Sequence, residues 1–365
     1  MNLLIDTALK GSLLIIAAAA ASYFLRNRSA AARHAAWTGA VIGHLLLPAI
    51  SFVMPQWNLG LLTPPSWMNT PSVSTPAISS TEKPAAPATS RATTKTETPA
   101  ANTPARSSNV VAPVTPAPVK QPSWTDKVRA SNVSPVLLLW IVGSALVLLR
   151  LAVGTWKVGR LAKQGDRVDD GEWLSLTQRL ANRLGITRPL TLLRGDKLAV
   201  PVTWGVVYPA VLLPPDSIEW PEERRRFVLV HEMAHVKRFD ALTQLVAQIA
   251  IAVFWFDPLI WLAAHRMRVE REHACDDYVI RDGTKPSLYA GELLEMVQSI
   301  GAPTRESAAP AFAALAMARR SEFEGRMLAI LDSRQNRHTL GRRSAAAAAT
   351  LLFALIIPLA AMRPF

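Results

Sequence analysis

Cysteine is all but missing from this sequence. Cys275 stands alone, so the chain can form no internal disulfide and no cysteine-built zinc site. Charge is sparse as well, at 18% of residues, and acidic groups are the scarcer sign, with 27 Asp and Glu against 40 Lys and Arg. In a soluble protein the resulting net charge of +13 would suit nucleic acid. No recognition-helix pattern and no aromatic–basic interleaving accompanies it, so direct nucleic-acid binding is not expected. Glycine is outnumbered by proline, 17 to 27, and aromatics make up only 7% of the chain. What is plentiful is apolar: half of all residues. Long apolar runs recast the basic excess as loops on the cytoplasmic side of a membrane, facing anionic lipid.

Leu3 to Leu25 is almost wholly apolar, and about 20 such residues cross a bilayer. The positive cluster Arg26, Arg28 and Arg33 follows the run instead of preceding it. That order fits a retained anchor better than a signal peptide and puts this end in the cytoplasm. A second run, Ala35 to Met54, contains His44 and Pro48, so 1–54 reads as a transmembrane hairpin. Residues 55–132 are rich in Pro, Ala, Ser and Thr and cannot bury enough apolar area to fold, which predicts an extended extracytoplasmic linker. A third span is expected at 133–153, its cytoplasmic exit marked by Arg150, Lys157, Arg160 and Lys163. A final span covers 344–362. The mixed-polarity segment 154–343 then faces the cytoplasm.

Within that segment, Trp173, Leu176, Leu180 and Leu184 keep a helical spacing that Gly185 is placed to end. Leu190 to Leu193 reads as a strand, and 199–213, broken by Gly205 and Pro209, as two short strands or a bent pair. Pro221 suits the first turn of a helix that begins with acidic residues. That helix carries His231, Glu232 and His235, an H-E-x-x-H pattern. Histidines four apart share one helical face, and Glu232 beside them can reach a water held by both, which is what a hydrolytic zinc site needs. Two histidines at this spacing also occur as ordinary surface or core residues, so the pattern needs a third ligand.

The run 242–264 is long enough to cross, but Asp257-Pro258 breaks it. A full crossing would leave His231 and the segment after 266 on opposite membrane faces. A buried or membrane-embedded helical hairpin is therefore expected. The next segment, 270–279, reads EREHACDDYV and offers Glu272, with Glu270 and His273 as alternatives. Asp276, four residues after Glu272, can orient a ligating histidine through its other ring nitrogen, and Asp240 is a second candidate for that role. Tyr278 is an oxyanion-donor candidate and equally a core residue.

Several of these segments together resemble the membrane-embedded M56 peptidases, the family of the beta-lactam sensor-transducers and their antirepressor relatives. They are PVTWGVVYPAVLLP at 201–214, HEMAHVKRFD at 231–240, FWFDPLIW at 254–261, EREHACDDYV at 270–279 and, more weakly, SEFEGRMLAIL at 321–331. The resemblance covers roughly 133–362. It implies a polytopic α-helical membrane protein carrying a mainly α, α+β zincin-like (gluzincin) metalloprotease domain. His231, His235 and Glu272 would bind Zn2+, and Glu232 would be the base. The substrate would be a cytoplasmic or juxtamembrane protein, such as a transcriptional repressor or the chain itself. The expected location is the bacterial inner membrane, multi-pass, with the protease site toward the cytoplasm. One departure is Asp257, where the family usually has Asn. Another expected departure is a protease module without the family's C-terminal penicillin-binding-like sensor, for which the residues after the final span leave no room. The rival readings are a quality-control or peptide-processing protease and a catalytically inactive signalling scaffold.

Overall fold

The computed structural model describes residues 2–53, 134–299, 310–339 and 341–362. The expected linker at 55–132 lies outside these residues. Helices α1 (Asn2–Phe24) and α2 (Ala30–Val53) form the N-terminal hairpin around a short 3-10 turn at Leu25–Asn27. Helix α3 (Pro135–Gln164) has 30 residues, or about 45 Å of rise, more than the roughly 30 Å hydrocarbon core of a bilayer. It therefore runs beyond the expected span, and Lys157, Arg160 and Lys163 sit on its last turns instead of in a loop. Together with Arg342–Ala361, these are the four helices among the described residues that are long and apolar enough to cross a membrane.

A small mixed sheet follows α3. Strand β1 (Asp166–Arg167) leads into α4 (Gly171–Leu184). The Asp170 carboxylate caps α4 by accepting the Glu172 N–H, and Gly185 closes it in the left-handed region at φ 65°. Strands β2 (Thr191–Arg194), β3 (Val202–Trp204) and β4 (Ala210–Leu213) complete the sheet in the order β1-β2-β4-β3. β2 and β4 are parallel, while β3 and β4 form an antiparallel hairpin. β4 is central and all four of its residues are buried, leaving β3 as an outer strand.

Helix α5 (Glu222–Arg238) starts one residue later than expected. Pro221 keeps an extended backbone, ψ 156°, and sits just outside the first turn, where Glu222 and Glu223 face the positive helix end. Phe227, Leu229, Val230 and Met233 anchor α5 in a core shared with Trp173 and Leu180 of α4 and Val211 and Leu213 of β4. That packing fixes the helix carrying the H-E-x-x-H residues against the sheet.

The apolar run after α5 breaks as its sequence suggests. Helix α6 (Asp240–Val253) and helix α7 (Pro258–Arg281) turn at 254–257. α6 has 14 residues, about 21 Å, which is too short to cross. The turn sends α7 back beside α5. Asp257 takes its place here by capping α7: its carboxylate accepts the Leu259 N–H at 2.8 Å and the Ser12 hydroxyl at 3.1 Å. Trp140 of α3 donates its indole N–H to the Val253 carbonyl at 2.9 Å. Apolar residues of α1 and α2, including Ile15, Trp37 and Val41, pack with Ile251, Ile260 and Met267 of the α6–α7 hairpin. Two more helices, α8 (Pro286–Ser299) and α9 (Pro310–Leu331), come after α7, and α10 is Arg342–Ala361.

Candidate metal centre

One turn of α5 separates His231 and His235, whose ring centroids are 5.1 Å apart. Glu272 approaches from α7. Ligand atoms of His231, His235 and Glu272 all lie within 4.8 Å of one another. The alternatives to Glu272 are placed elsewhere. Glu270 is paired with Arg33 of α2 at 2.9 Å, tying the membrane hairpin to α7, and His273 belongs to no metal-capable group among the described residues.

Each histidine has its Nδ1 against a carboxylate. His235 Nδ1 is 2.9 Å from Asp240 Oδ2, and His231 Nδ1 is 3.2 Å from Asp276 Oδ1. Such contacts hold an imidazole in one tautomer and one orientation, leaving Nε2 as the ligand atom. His231 Nε2 is 3.6 Å from Glu272 Oε2. Two oriented imidazoles and a carboxylate are the donor set of a three-ligand catalytic zinc site, so the residues present fit the ion that the motif implies. A second group, His235, Asp240 and Cys275, is also close enough to hold a metal. It would use the His235 nitrogen already facing Asp240, and the Cys275 thiol points at those same two atoms, 3.3 and 3.5 Å away.

Both carboxylates are themselves held. The Arg326 guanidinium on α9 makes a two-point pair with Asp276, at 2.8 and 3.0 Å, and Tyr289 of α8 donates its hydroxyl to Asp276 at 2.8 Å. Arg238 donates to Asp240 at 3.2 Å. Glu272 accepts from Arg271 at 3.0 and 3.1 Å. This network shifts protonation strongly. Burial works against a charged His231, but hydrogen bonds to Asp276 and Glu272 outweigh it and raise the imidazole to about 9. Burial likewise opposes ionisation of Glu272, yet His231 and Arg271 hold its carboxyl well below the usual range. Burial pushes the Cys275 thiol well up. A cleft with several such shifts is where functional groups concentrate.

Glu232 is buried beside the histidines, and its carboxylate accepts the Thr203 hydroxyl of β3 at 2.6 Å. The site opens into a cavity of about 540 Å³. Val202, Thr203 and Trp204 of the outer strand form one wall, Leu151 and Thr155 of α3 another, and Gln244, Leu245 and Gln248 of α6 a third. Membrane helix and sheet edge thus meet at the same cleft.

The sequence reading did not single out Thr203, Tyr289 or Arg326. Thr203 and Arg326 lie in segments that carry the family resemblance, which was the available signal. Tyr289 lies in none of them. Tyr278 packs against the core and stacks with Arg281, while Tyr289 reaches His231 Nδ1 at 3.1 Å.

The family model for the BlaR1 peptidase M56 matches residues 3–330. The chain belongs to this family. Among curated relatives, this M56 member is 30% identical over 168 residues to the regulatory protein BlaR1 of Bacillus licheniformis, a match covering 46% of this chain and 28% of that protein. It is 23% identical over 161 residues to the methicillin resistance mecR1 protein of Staphylococcus aureus strain Mu50, covering 42% of this chain and 26% of that one. The alignments thus span only about a quarter of those relatives' lengths. Membership in this family, together with four helices fit to span, makes the chain a multi-pass protein of the bacterial inner membrane.

Proposed function

We propose that this M56 member is a zinc-dependent membrane endopeptidase of gluzincin type. The observation that carries the reading is the convergence of His231, His235 and Glu272 within 4.8 Å, with both histidines backed by carboxylates. Those three residues would hold Zn2+, with Asp276 and Asp240 keeping the imidazoles aimed. When bound, zinc supplies Lewis-acid polarisation of a carbonyl and lowers the pKa of a water.

The remaining work falls to the chain's own groups. Glu232 takes a proton from the attacking water and delivers it to the departing amine. Thr203, by donating to the Glu232 carboxylate, fixes the direction from which that proton is taken. An extended substrate lies along the outer strand β3, whose backbone offers strand-type hydrogen bonds beside the site. Carried by the charge pattern around the spans, the site faces the cytoplasm. Its substrate is a cytoplasmic or juxtamembrane protein. The names of its relatives, a regulatory protein and a methicillin-resistance protein, support a role in signalling. Cleavage of a transcriptional repressor or self-processing fits that role.

The test is a comparison in membranes of zinc content and proteome-wide cleavage for wild type, Glu232→Gln and Glu272→Ala. Glu232→Gln is expected to keep zinc and lose cleavage, because it retains all three ligands and removes the base. Glu272→Ala is expected to lose both. Cleavage at wild-type level in the two variants would sink the mechanism.

A further inference from the structure

Phe239 is the one non-glycine residue with positive φ among the described residues, at φ 58° and ψ 37°. This left-handed conformation crowds a side chain against the backbone, so helices that end this way usually do so on glycine. Here it joins two helices with a single residue. The Phe239 N–H closes α5 on the carbonyls of His235 and Val236. The Phe239 carbonyl opens α6 by accepting the N–H groups of Leu242 and Thr243 at 2.9 and 3.2 Å.

The turn has a geometric consequence for the metal centre. On an uninterrupted helix, residues 235 and 240 would point about 140° apart, at 100° per residue. Asp240 would then face away from His235. The left-handed turn folds the chain back, and the Asp240 carboxylate lands 2.9 Å from His235 Nδ1.

Arg188, from the segment before β2, holds this turn from outside. Its guanidinium carbon lies 3.9 Å from the centre of the Phe239 ring. It donates to the carbonyl of Val236 in the last turn of α5. It also donates to the Val206 carbonyl, just past β3, at 2.7 Å. One side chain thus ties the end of the histidine helix to the hairpin whose Thr203 touches Glu232. A planar guanidinium can stack and donate in two directions at once, which an ammonium cannot do.

We propose that Arg188 and Phe239 are positioning residues for the metal centre: they hold the turn that keeps Asp240 on His235. This rests on the reading that His235 is a zinc ligand. Neither residue touches the ligand atoms, and their effect passes through Asp240.

The experiment is a zinc-affinity titration by chelator competition on the full-length protein in detergent. Arg188→Ala and Asp240→Ala are each expected to weaken zinc binding about 10- to 100-fold, the usual effect of losing a partner behind a metal ligand. The double variant should be no weaker than Asp240→Ala alone, because both act along one path. Arg188→Lys should recover little. Phe239→Gly, at ease in the left-handed region, should bind zinc more tightly than Phe239→Ala. This last pair keeps the inference testable if Arg188→Ala fails to fold. Wild-type affinity in Arg188→Ala, additive losses in the double variant, or equal affinity of the two Phe239 variants would overturn the proposal. His235→Ala separates it from the parent reading. If that variant retains zinc, the zinc site itself is wrong. If it and Asp240→Ala lose zinc while Arg188→Ala does not, only the positioning role falls.

Discussion

His231 and His235 stand one turn apart on α5, yet their imidazoles are oriented by different means. The Asp240 carboxylate behind His235 comes from five residues down the chain, and Arg238, which also donates to it, is closer still. The carboxylate behind His231 is Asp276 on α7, gripped by Tyr289 on α8 and Arg326 on α9. One partner is delivered by local backbone geometry, the other by the packing of three helices distant in sequence. The His235 side needs α5, its terminal turn and Arg188 against that turn. The His231 side needs α7, α8 and α9 packed together. Joining a mostly local half to a long-range half makes the candidate metal centre a reporter of the tertiary structure.

The sharpest way to break this comparison is to remove the two carboxylates in parallel. Asp276→Ala would leave the mostly buried Arg326 guanidinium with only its longer contact to Glu272, at 3.5 Å, and the Tyr289 hydroxyl without its acceptor. Breaking a buried ion pair from one side costs about 3–5 kcal/mol when the charge is left unpaired, and the Glu272 contact offsets part of that here. Asp240→Ala removes the local contacts to His235 and Arg238 and a 3.5 Å contact from the Cys275 thiol of α7. Both variants should lose zinc affinity, but Asp276→Ala should also lower the thermal unfolding midpoint in detergent much further than Asp240→Ala. Equal shifts would mean that the Arg326 pair contributes nothing specific to assembly. Next in size is Tyr289→Phe. Asp276 keeps both Arg326 donors in this variant, so the loss is the hydrogen bond to Asp276, about 0.5–1.5 kcal/mol, together with the 3.1 Å contact to His231 Nδ1. Unfolding should report that small decrease while zinc stoichiometry stays unchanged; a fall in stoichiometry would place the Tyr289 hydroxyl among the groups that aim His231.

The same division explains what could be read from the residues alone. His231, Glu232 and His235 sit in one local pattern, and Asp240 lies a few positions beyond it. Glu272 and Asp276 share a helical face and a segment of family resemblance. All of these signals are short-range or borrowed from whole segments. Tyr289 and Arg326 meet Asp276 only through helix packing, and nothing in their neighbours' periodicity marks that meeting. The helix ends, strands and the 254–257 break were legible because Gly185, Gly205 and Asp257-Pro258 impose backbone conformations directly. Phe239 was not, because a left-handed phenylalanine runs against residue preference and depends on its surroundings. The extension of α3 to Gln164 went unread for a related reason: basic residues mark a membrane exit, but a helix need not end where the bilayer does.

The smallest expected effect lies at Cys275, and it sharpens the comparison from the His235 side. The thiol is fully buried and lies 3.3 Å from His235 Nδ1, so proximity alone would admit it as a ligand with Asp240. That arrangement would take the metal on the Nδ1 side of His235, away from Glu272. The carboxylate contact at 2.9 Å argues for the opposite use of the ring, with Nδ1 engaged by Asp240 and Nε2 left as the ligand atom in the group with His231 and Glu272. Cys275→Ala keeps that contact intact and removes only the sulfur. Zinc stoichiometry and affinity should therefore match wild type, measured by the same chelator competition. Loss of zinc in Cys275→Ala, with zinc retained in Glu272→Ala, would move the metal to the other face of His235. It would also turn Asp240 from an orienting carboxylate into a ligand.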